Sequence, residues 1–418
     1  MAVPLRSGCA LVLWALAGPA AAQVTLEAAV REALTNSAGL LADKAEIAIA
    51  EARLLTARLR PNPVATVSGD HLPVLGTRFT EENAGGPGEI VAGLEVTLER
   101  GGKRPARVAV AEVAKTAAEL RFQNAVRELA LEVATAFIDA LAARDAVELT
   151  RENLGFLRQI AELNATRLKV GDIAEVELVR SRLAALQQET VVRQAELKLR
   201  DALIRLQKLM GRRSPASDFR VEGALDRADY APLAEDLLKE ALERRPDLLA
   251  KRRELDRAAA ETRLQLAGAR QNWTLGTEFR RQQVNAKANS LTVTLGVPLP
   301  LFDRNQGEIE RARQEQRQTE LALRALEVDI AAEVSSAHAQ LLAARDLLHT
   351  AGGAMLQHAR EVRQITEFAY RRGESNLLAL LDAQRAFNET MQTLLEARAE
   401  YARSLLVLDS VCGRSLVR

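Results

Sequence analysis

The chain has 418 residues, 57 of them basic and 56 acidic, with 27% charged and only 3% aromatic side chains. Such balance sets up no field toward nucleic acid or acidic substrates, and so few rings argue against several compact cores, because aromatics dominate ordinary core burial. Abundant Ala, Leu, Glu, Gln and Arg describe long helices with narrow apolar seams instead.

Residues 1–22 read as a secretory signal: Arg6, an apolar run from Cys9 to Ala17, then Ala20-Ala21-Ala22 before Gln23. The run is about half the ~20 residues a spanning helix needs. Cys9 stands at the start of the run with Arg6 just upstream, the wrong place and flank for lipoprotein attachment. The mature chain then starts at Gln23 in an oxidising compartment, with Cys412 alone and no internal disulfide. No later segment reaches transmembrane-helix length, so a membrane span has to be made of strands.

Residues 26–60 predict a helix, capped by Thr25 and stopped by Pro61 and Pro63. Strands are expected over 64–70 and 89–98, around a loop that holds His71 and Gly85-Gly86-Pro87-Gly88. In the second strand Ile90, Ala92, Leu94, Val96 and Leu98 alternate with Val91, Gly93, Glu95 and Thr97. A later pair alternates more cleanly: Trp273, Leu275 and Phe279 against Thr274, Gly276, Glu278 and Arg280, then Leu291, Val293, Leu295 and Val297 against Thr292, Thr294 and Gly296. This period suits a membrane barrel strand and equally a half-buried soluble hairpin. Context favours the barrel, because each hairpin sits between helices too long for a compact domain to cover.

After Pro105, residues 103–170 lack breakers and predict a rod of about 100 Å; the same holds for 305–372, with Gly155 and Gly352-Gly353 as the only weak points. Turns at Gly171 and Gly373 lead into helices over 172–211 and 374–411. Leu178, Ala185, Val192, Leu199 and Leu206 form a seven-residue seam on the first, and Leu380, Phe387, Leu394, Tyr401 and Leu408 on the second. That period enforces coiled-coil packing. Residues 212–232, with Pro215, Gly223, Asp226 and Pro232, join the halves.

The order of elements is therefore repeated. Residues 50–63, AEARLLTARLRPNP, match 260–273, AETRLQLAGARQNW, at an offset of 210 (260 − 50). Residues 95–111 match 296–312 at 201, and Gly171 matches Gly373 at 202. A period near 200 is one duplication rather than a solenoid repeat. The chain divides into signal 1–22, first repeat 23–215, linker 216–232 and second repeat 233–418. Four strands leave two open edges, which lipid does not tolerate; three copies supply twelve strands, an even number within the range of outer-membrane barrels.

Enzyme motifs are missing. Gly101-Gly102-Lys103 resembles the end of a phosphate loop, but Arg104 follows where Ser or Thr is needed, so it reads as a strand-to-helix corner. His338 and His349 lie about 16 Å apart along one helix, too far to share an ion. No catalytic, cofactor or metal site is assigned. The informative stripe is Asp382, Glu389 and Glu396, recurring every seven residues opposite the second seam, with Ser375, Ala379, Ala386 and Thr393 filling it. Its first-repeat counterparts are Arg180, Gln187 and Gln194. A solvated face and the lining of a water-filled passage, where rings of acids favour cations, fit the stripe equally well. At the turns, Val170, Gly171, Asp172, Arg372, Gly373 and Glu374 form two exposed tips.

At its repeated motifs the chain resembles the TolC family of outer-membrane efflux ducts, over essentially all of the mature sequence. RLKVGDIAEVEL and YRRGESNLLALLDAQ look like that family's periplasmic hairpin tips. GGKRPAR at 101–107 and VPLPLFDRNQGEI at 297–309 look more like its cobalt–zinc–cadmium branch. The resemblance implies a mainly α homotrimer with a small β part: a twelve-stranded outer-membrane barrel continued by an α-helical periplasmic tunnel. It also implies a periplasmic adaptor at the tips, an inner-membrane proton-driven pump of the resistance–nodulation–division class, and divalent heavy-metal cargo passing Asp382, Glu389 and Glu396. In the wider family two acids one turn apart narrow the mouth; here the second matches Asp382 while the first falls on Ala379. A general drug or type I secretion duct is the alternative within the class, and a soluble periplasmic coiled-coil adaptor or scaffold the alternative outside it.

Overall fold

The computed structural model describes residues 23–70, 76, 89–230, 232–282 and 288–415. The signal segment, His71 and the glycine-rich loop at 85–88 lie outside the described residues. The chain runs β1 (Gln23–Val24), α1 (Leu26–Asn36), α2 (Ala38–Arg58), β2 (Val64–Asp70), β3 (Glu89–Leu98), α3 (Lys103–Lys169) and α4 (Glu175–Leu209). The second half follows as β4 (Arg220–Val221), α5 (Ala234–Arg244), α6 (Pro246–Gly268), β5 (Trp273–Gln282), β6 (Ala288–Gly296), α7 (Gln306–Thr350), a π-turn (Ala351–Met355), α8 (Leu356–Arg371) and α9 (Leu377–Val411).

Two expectations need correction. The helix over 26–60 is two helices, because Ser37 leaves the helical conformation and caps α2 by accepting from Leu40 N, while Thr25 caps α1 as expected. The rod over 305–372 is interrupted at the π-turn, where Gly353 takes the non-helical angles φ −91° and ψ −121°. Gly155, the other weak point, lies inside an unbroken α3 of 67 residues.

The four long strands form one antiparallel sheet in the order β2-β3-β5-β6. Its register places Thr66 opposite Gly93, Glu95 opposite Gly276, Leu94 opposite Thr277 and Gly276 opposite Thr294. Since side chains alternate across a strand, one face gathers Val67, Leu94, Val96, Leu275, Phe279, Leu291, Val293 and Leu295. The other gathers Thr66, Ser68, Glu95, Thr274, Glu278 and Thr294. The seven pairs of β2 with β3 map onto pairs of β5 with β6 at offsets of 210 and 201 (Val64 with Glu95 onto Thr274 with Gly296), so the duplication is visible in the backbone. Among the described residues no helix is long and apolar enough to cross a membrane.

Below the sheet the helices keep the strand order: α2 packs on α3, α3 on α6 and α6 on α7. Farther down α4 lies along α3, and α9 along α7, α8 and α3. Seam positions Leu178, Ala185, Val192, Leu206, Leu380, Leu394, Tyr401 and Leu408 are buried; Leu199 and Phe387 are half-buried. Each such leucine contributes roughly 1.5–3 kcal/mol relative to exposure. Two cores lie at mid-length. One joins α1, α3, the end of α4 and β4 around Phe137, Ile138, Leu206 and Met210; the other joins α5, α7 and α9 around Leu237, Ile330, Leu341 and Leu408.

Candidate duct lining and docking tips

The polar face of the sheet is concave, with a hollow of about 310 Å³ lined by Thr66, Ser68, Glu95, Thr274, Glu278 and Thr294 among others. Small residues permit that curvature: a side chain added at Gly93 would meet Thr66 Oγ1 at 2.6 Å, and one at Gly296 would clash with Thr274 Oγ1. Arg280 on this face bonds Glu89 at 3.1 Å and lies 3.5 Å from Glu278. At the corner below, Gly101 and Gly102 take φ of 76° and 73° and turn the chain from β3 into α3. Arg100 stacks 3.8 Å from the centre of the Trp273 ring, and Lys103 Nζ donates to Asn272 Oδ1 at 2.8 Å. The corner reading of this motif therefore holds.

At the far end the two tips close in the same way. Gly171 N donates to Leu168 O and Asp172 N to Arg167 O; Gly373 N donates to Tyr370 O and Glu374 N to Ala369 O. Both glycines are left-handed, φ 77° and 79°, as this helix ending requires. Val170 is 76% exposed at the apex. Arg372 lies over the Phe368 ring at 4.1 Å. The tips also touch each other, which the sequence did not reveal. Arg167 donates to Asp172 Oδ2 at 2.5 Å and reaches across to Tyr370 O at 3.2 Å. Tyr370 OH donates to buried Asn164 Oδ1 at 2.6 Å. The Asp172 bond raises the Arg167 pKa, and burial pushes the Tyr370 phenol up against the opposing Asn164 bond. A lone tyrosine three residues before a turn glycine was the only available signal.

Asn376 caps α9 by accepting from Ala379 N at 2.8 Å, which fixes the rotation of the acidic stripe. Asp382, Glu389 and Glu396 are all exposed in the protomer. Glu389 lines a groove of about 380 Å³ with Gln187, Gln188, Gln384, Asn388 and Gln392; Arg180 and Arg385 line it too. Glu396 lines a second groove of about 280 Å³ with Gln194, Lys198 and Arg403. Asp382 borders neither groove, and its nearest cation is Arg385 at 3.9 Å. The structure thus brings the stripe's first-repeat counterparts, Gln187 and Gln194, across the same grooves from Glu389 and Glu396. Arg180, the third counterpart, lines the groove of Glu389, and the structure adds bases the sequence reading missed: Arg385 in that groove and Lys198 and Arg403 in the groove of Glu396.

His338 Nε2 lies 3.0 Å from Pro232 O, while His349 faces Asp229 at 3.8 Å and His358 faces Glu361 at 3.7 Å. Among the described residues no three His, Cys, Asp or Glu side chains converge as a metal site. Burial pushes the Cys412 thiol up to about 11, so it stays protonated beneath α5.

The family model for outer membrane efflux proteins matches residues 29–212 and 237–414. Among characterised relatives, the cobalt-zinc-cadmium resistance protein CzcC of Cupriavidus metallidurans is 26% identical over 94% of this chain and 91% of its own. The pyoverdine export outer membrane protein OpmQ of Pseudomonas aeruginosa is also 26% identical, over 93% of this chain and 85% of its own. In solved structures the same fold occurs in CusC, with a TM-score of 0.77 at 19% identity over 93% of this chain and 92% of that one. The Campylobacter jejuni CmeC outer membrane channel gives 0.76 at 16% identity, covering 93% and 85% of the two chains. The two-faced sheet, the paired tips and these likenesses agree, and the chain belongs to the outer membrane efflux protein family, the TolC-type ducts of the outer membrane, which are not enzymes.

Proposed function

We propose that three copies of this chain close into one passive duct that carries divalent heavy-metal cations, such as cobalt, zinc, cadmium or nickel, out through the outer membrane. The observation that carries the cargo is the end-to-end similarity to CzcC, named for cobalt, zinc and cadmium resistance. The open edges of β2 and β6 support the trimer, since unpaired strand edges are costly in lipid. In this reading Asp382, Glu389 and Glu396 line the passage, and the duct holds no cargo tightly, as conduction requires release. Val170, Gly171, Asp172, Arg372, Gly373 and Glu374 meet a periplasmic adaptor, and energy comes from an inner-membrane proton-driven exporter of the resistance–nodulation–division class.

Deleting the gene should lower tolerance to at least one of these metals and raise its cellular content, with little change in sensitivity to bulky antibiotics. Similarity to OpmQ, named for pyoverdine export, favours a second reading, a duct for cargo other than heavy metals. Normal metal tolerance combined with heightened drug sensitivity would establish that reading instead. Asp382→Asn should change cation selectivity or divalent block in planar bilayers; unaltered conduction would return this stripe to an ordinary solvated face.

A further inference from the structure

The four corners where the sheet meets the helices lie at one level. Val64 pairs with Glu95, Leu98 with Trp273 and Thr274 with Gly296, so all four long strands begin or end at the same rim. The helices α2, α3, α6 and α7 adjoin it in sequence. Positive charge is concentrated there. Residues 58–63, 98–107, 268–273 and 296–305 hold eight basic side chains and two acidic ones, a surplus of six, whereas the whole chain has a surplus of one. Of the two acids, Glu99 is already paired with Arg107. Among the described residues Arg60, Arg100, Arg104, Arg270 and Arg304 are exposed and form no ion pair. Farther down α3, by contrast, Arg121, Arg151 and Arg158 each hold a glutamate. The lack of partners is therefore a property of the rim.

An apolar surface lies at the same level. Leu98 and Trp273 end the apolar face of the sheet, and Arg100 stands 3.8 Å from the centre of the Trp273 ring. That contact places the cation at the edge of the lipid-facing surface rather than in the lumen. Leu299, Leu301 and Phe302 are 74%, 67% and 90% exposed, and Leu59 is bare at the corner before β2. The segment 298–302 needs little water: Pro298 and Pro300 carry no N–H, and Leu301 N donates to Leu299 O at 2.8 Å. Bare apolar side chains beside unpaired cations suit a boundary between acyl chains and charged headgroups.

From this rim the helices continue into the periplasm, so the boundary is the periplasmic leaflet of the outer membrane, which is phospholipid. We infer that the four corners form a collar that binds the phosphate headgroups of anionic phospholipids in that leaflet, with residues 299–302 as a wedge among the acyl chains. Two features select lipid over a protein partner. The apolar surface is continuous with the outward face of the strands, and the five unpaired arginines are spread over all four corners instead of gathering in one groove. Cations held at a membrane surface attract anionic headgroups over about a Debye length. The collar is independent of what the duct carries.

The test uses the full chain with Trp14→Phe, which leaves Trp273 as its one tryptophan. In phosphatidylcholine vesicles, brominated phosphatidylglycerol should quench Trp273 more than an equal mole fraction of brominated phosphatidylcholine does, corresponding to about threefold enrichment at the collar. The enrichment should vanish at about 1 M salt, where screening is nearly complete. Arg60→Gln with Arg270→Gln should about halve it at an unchanged unfolding temperature. Equal quenching by the two lipids would overturn the collar. Little quenching by either would mean that protein covers this rim, which overturns it as well. Loss of the enrichment in inorganic phosphate, but not in chloride of the same ionic strength, would assign the cations to free phosphate instead. For the wedge, Phe302→Trp in a chain that also carries Trp14→Phe and Trp273→Phe should be quenched by either brominated lipid. Absence of quenching in that chain would overturn the wedge.

Discussion

In the first half a single helix of 67 residues runs from the barrel corner to the tip; in the second the same path is shared by α7, a π-turn and α8. The difference extends to what holds each hairpin shut. Arg151 pairs with Glu196, and Arg158 with Glu189 at 2.6 Å, tying α3 to α4, and Gln188 adds a bond to Thr150 O. Among the described residues no ion pair ties α8 to α9. The break is packed rather than bridged, with Ala351, Leu356 and Leu394 buried around it and Phe387 and Met391 against them. Duplication thus produced one hairpin stiffened by charge pairs and one with a built-in joint. The acidic stripe is carried by α9, beside the joint.

The largest test of this contrast lies at mid-length, where the seams meet the segment between α4 and α5. Tyr401, 2% exposed, donates to Ala228 O and accepts from Tyr230 N, both at 2.9 Å. Its first-half counterpart, Leu199, is half-buried and has no such task. Tyr401→Ala should cost about 3–5 kcal/mol, the usual loss for a large buried side chain, and remove its bonds to Ala228 O and Tyr230 N. Leu199→Ala should cost about 1–2 kcal/mol, in proportion to the area it hides. Heat unfolding in detergent at a fixed scan rate ranks the two. Equal shifts would mean the second half does not carry the linker.

A sharper comparison sets the two mid-helix glycines against each other. A side chain added at Gly155 meets nothing within 4 Å and the backbone there is helical, so Gly155→Ala should stabilise by about 0.5–1 kcal/mol. Gly353 also has space, but its backbone is not helical. Gly353→Ala should straighten the joint, because Ala favours the helix by about 1 kcal/mol over Gly. Hydrogen exchange over 351–355 reads the outcome as slower exchange. Unchanged exchange would mean that the joint is not set by the glycine.

Much of this plan was legible because its signals are periodic or punctuated. Alternation at period two located three of the four long strands, and the seams at period seven named residues that are buried or half-buried. The left-handed glycines located both tips, since a helix of this kind ends most easily on a residue without a side chain. What was missed depends on partners far apart in sequence. The Arg167–Tyr370 contact and the placing of Lys198 and Arg403 beside Glu396 arise where two helices meet, and neither helix alone carries the pattern, whereas the break of the second rod falls at Gly352-Gly353, a weak point visible in the sequence. Ser37 is a different case. It follows Asn36 within an otherwise helical run, and its capping power was outweighed by the apolar residues on both sides.

The last comparison concerns two arginines in equivalent places. Gly211 and Gly413 end α4 and α9 in the left-handed conformation, and the next residue in each case, Arg212 or Arg414, reaches back to a glutamate on a short helix. Arg212 grips Glu32 of α1 at 2.6 and 2.9 Å; Arg414 grips Glu240 of α5 at 2.6 and 3.0 Å and also reaches Tyr230 OH and Asp409. The Arg414 bond holds the Glu240 carboxyl below its ordinary range. A carboxylate with a depressed folded pKa contributes stability that is full above its unfolded value, about 4.3, and is lost as pH falls through the folded value. Arg414→Gln should therefore cost about 1 kcal/mol at neutral pH, since both partners are partly exposed, and progressively less as the pH drops below about 4. Arg212→Gln should cost no more than this at neutral pH, having fewer partners. Parallel heat-unfolding series at pH 7 and pH 3.5 check the sign: a penalty for Arg414→Gln that is undiminished in acid would show that its role at this junction is packing rather than charge.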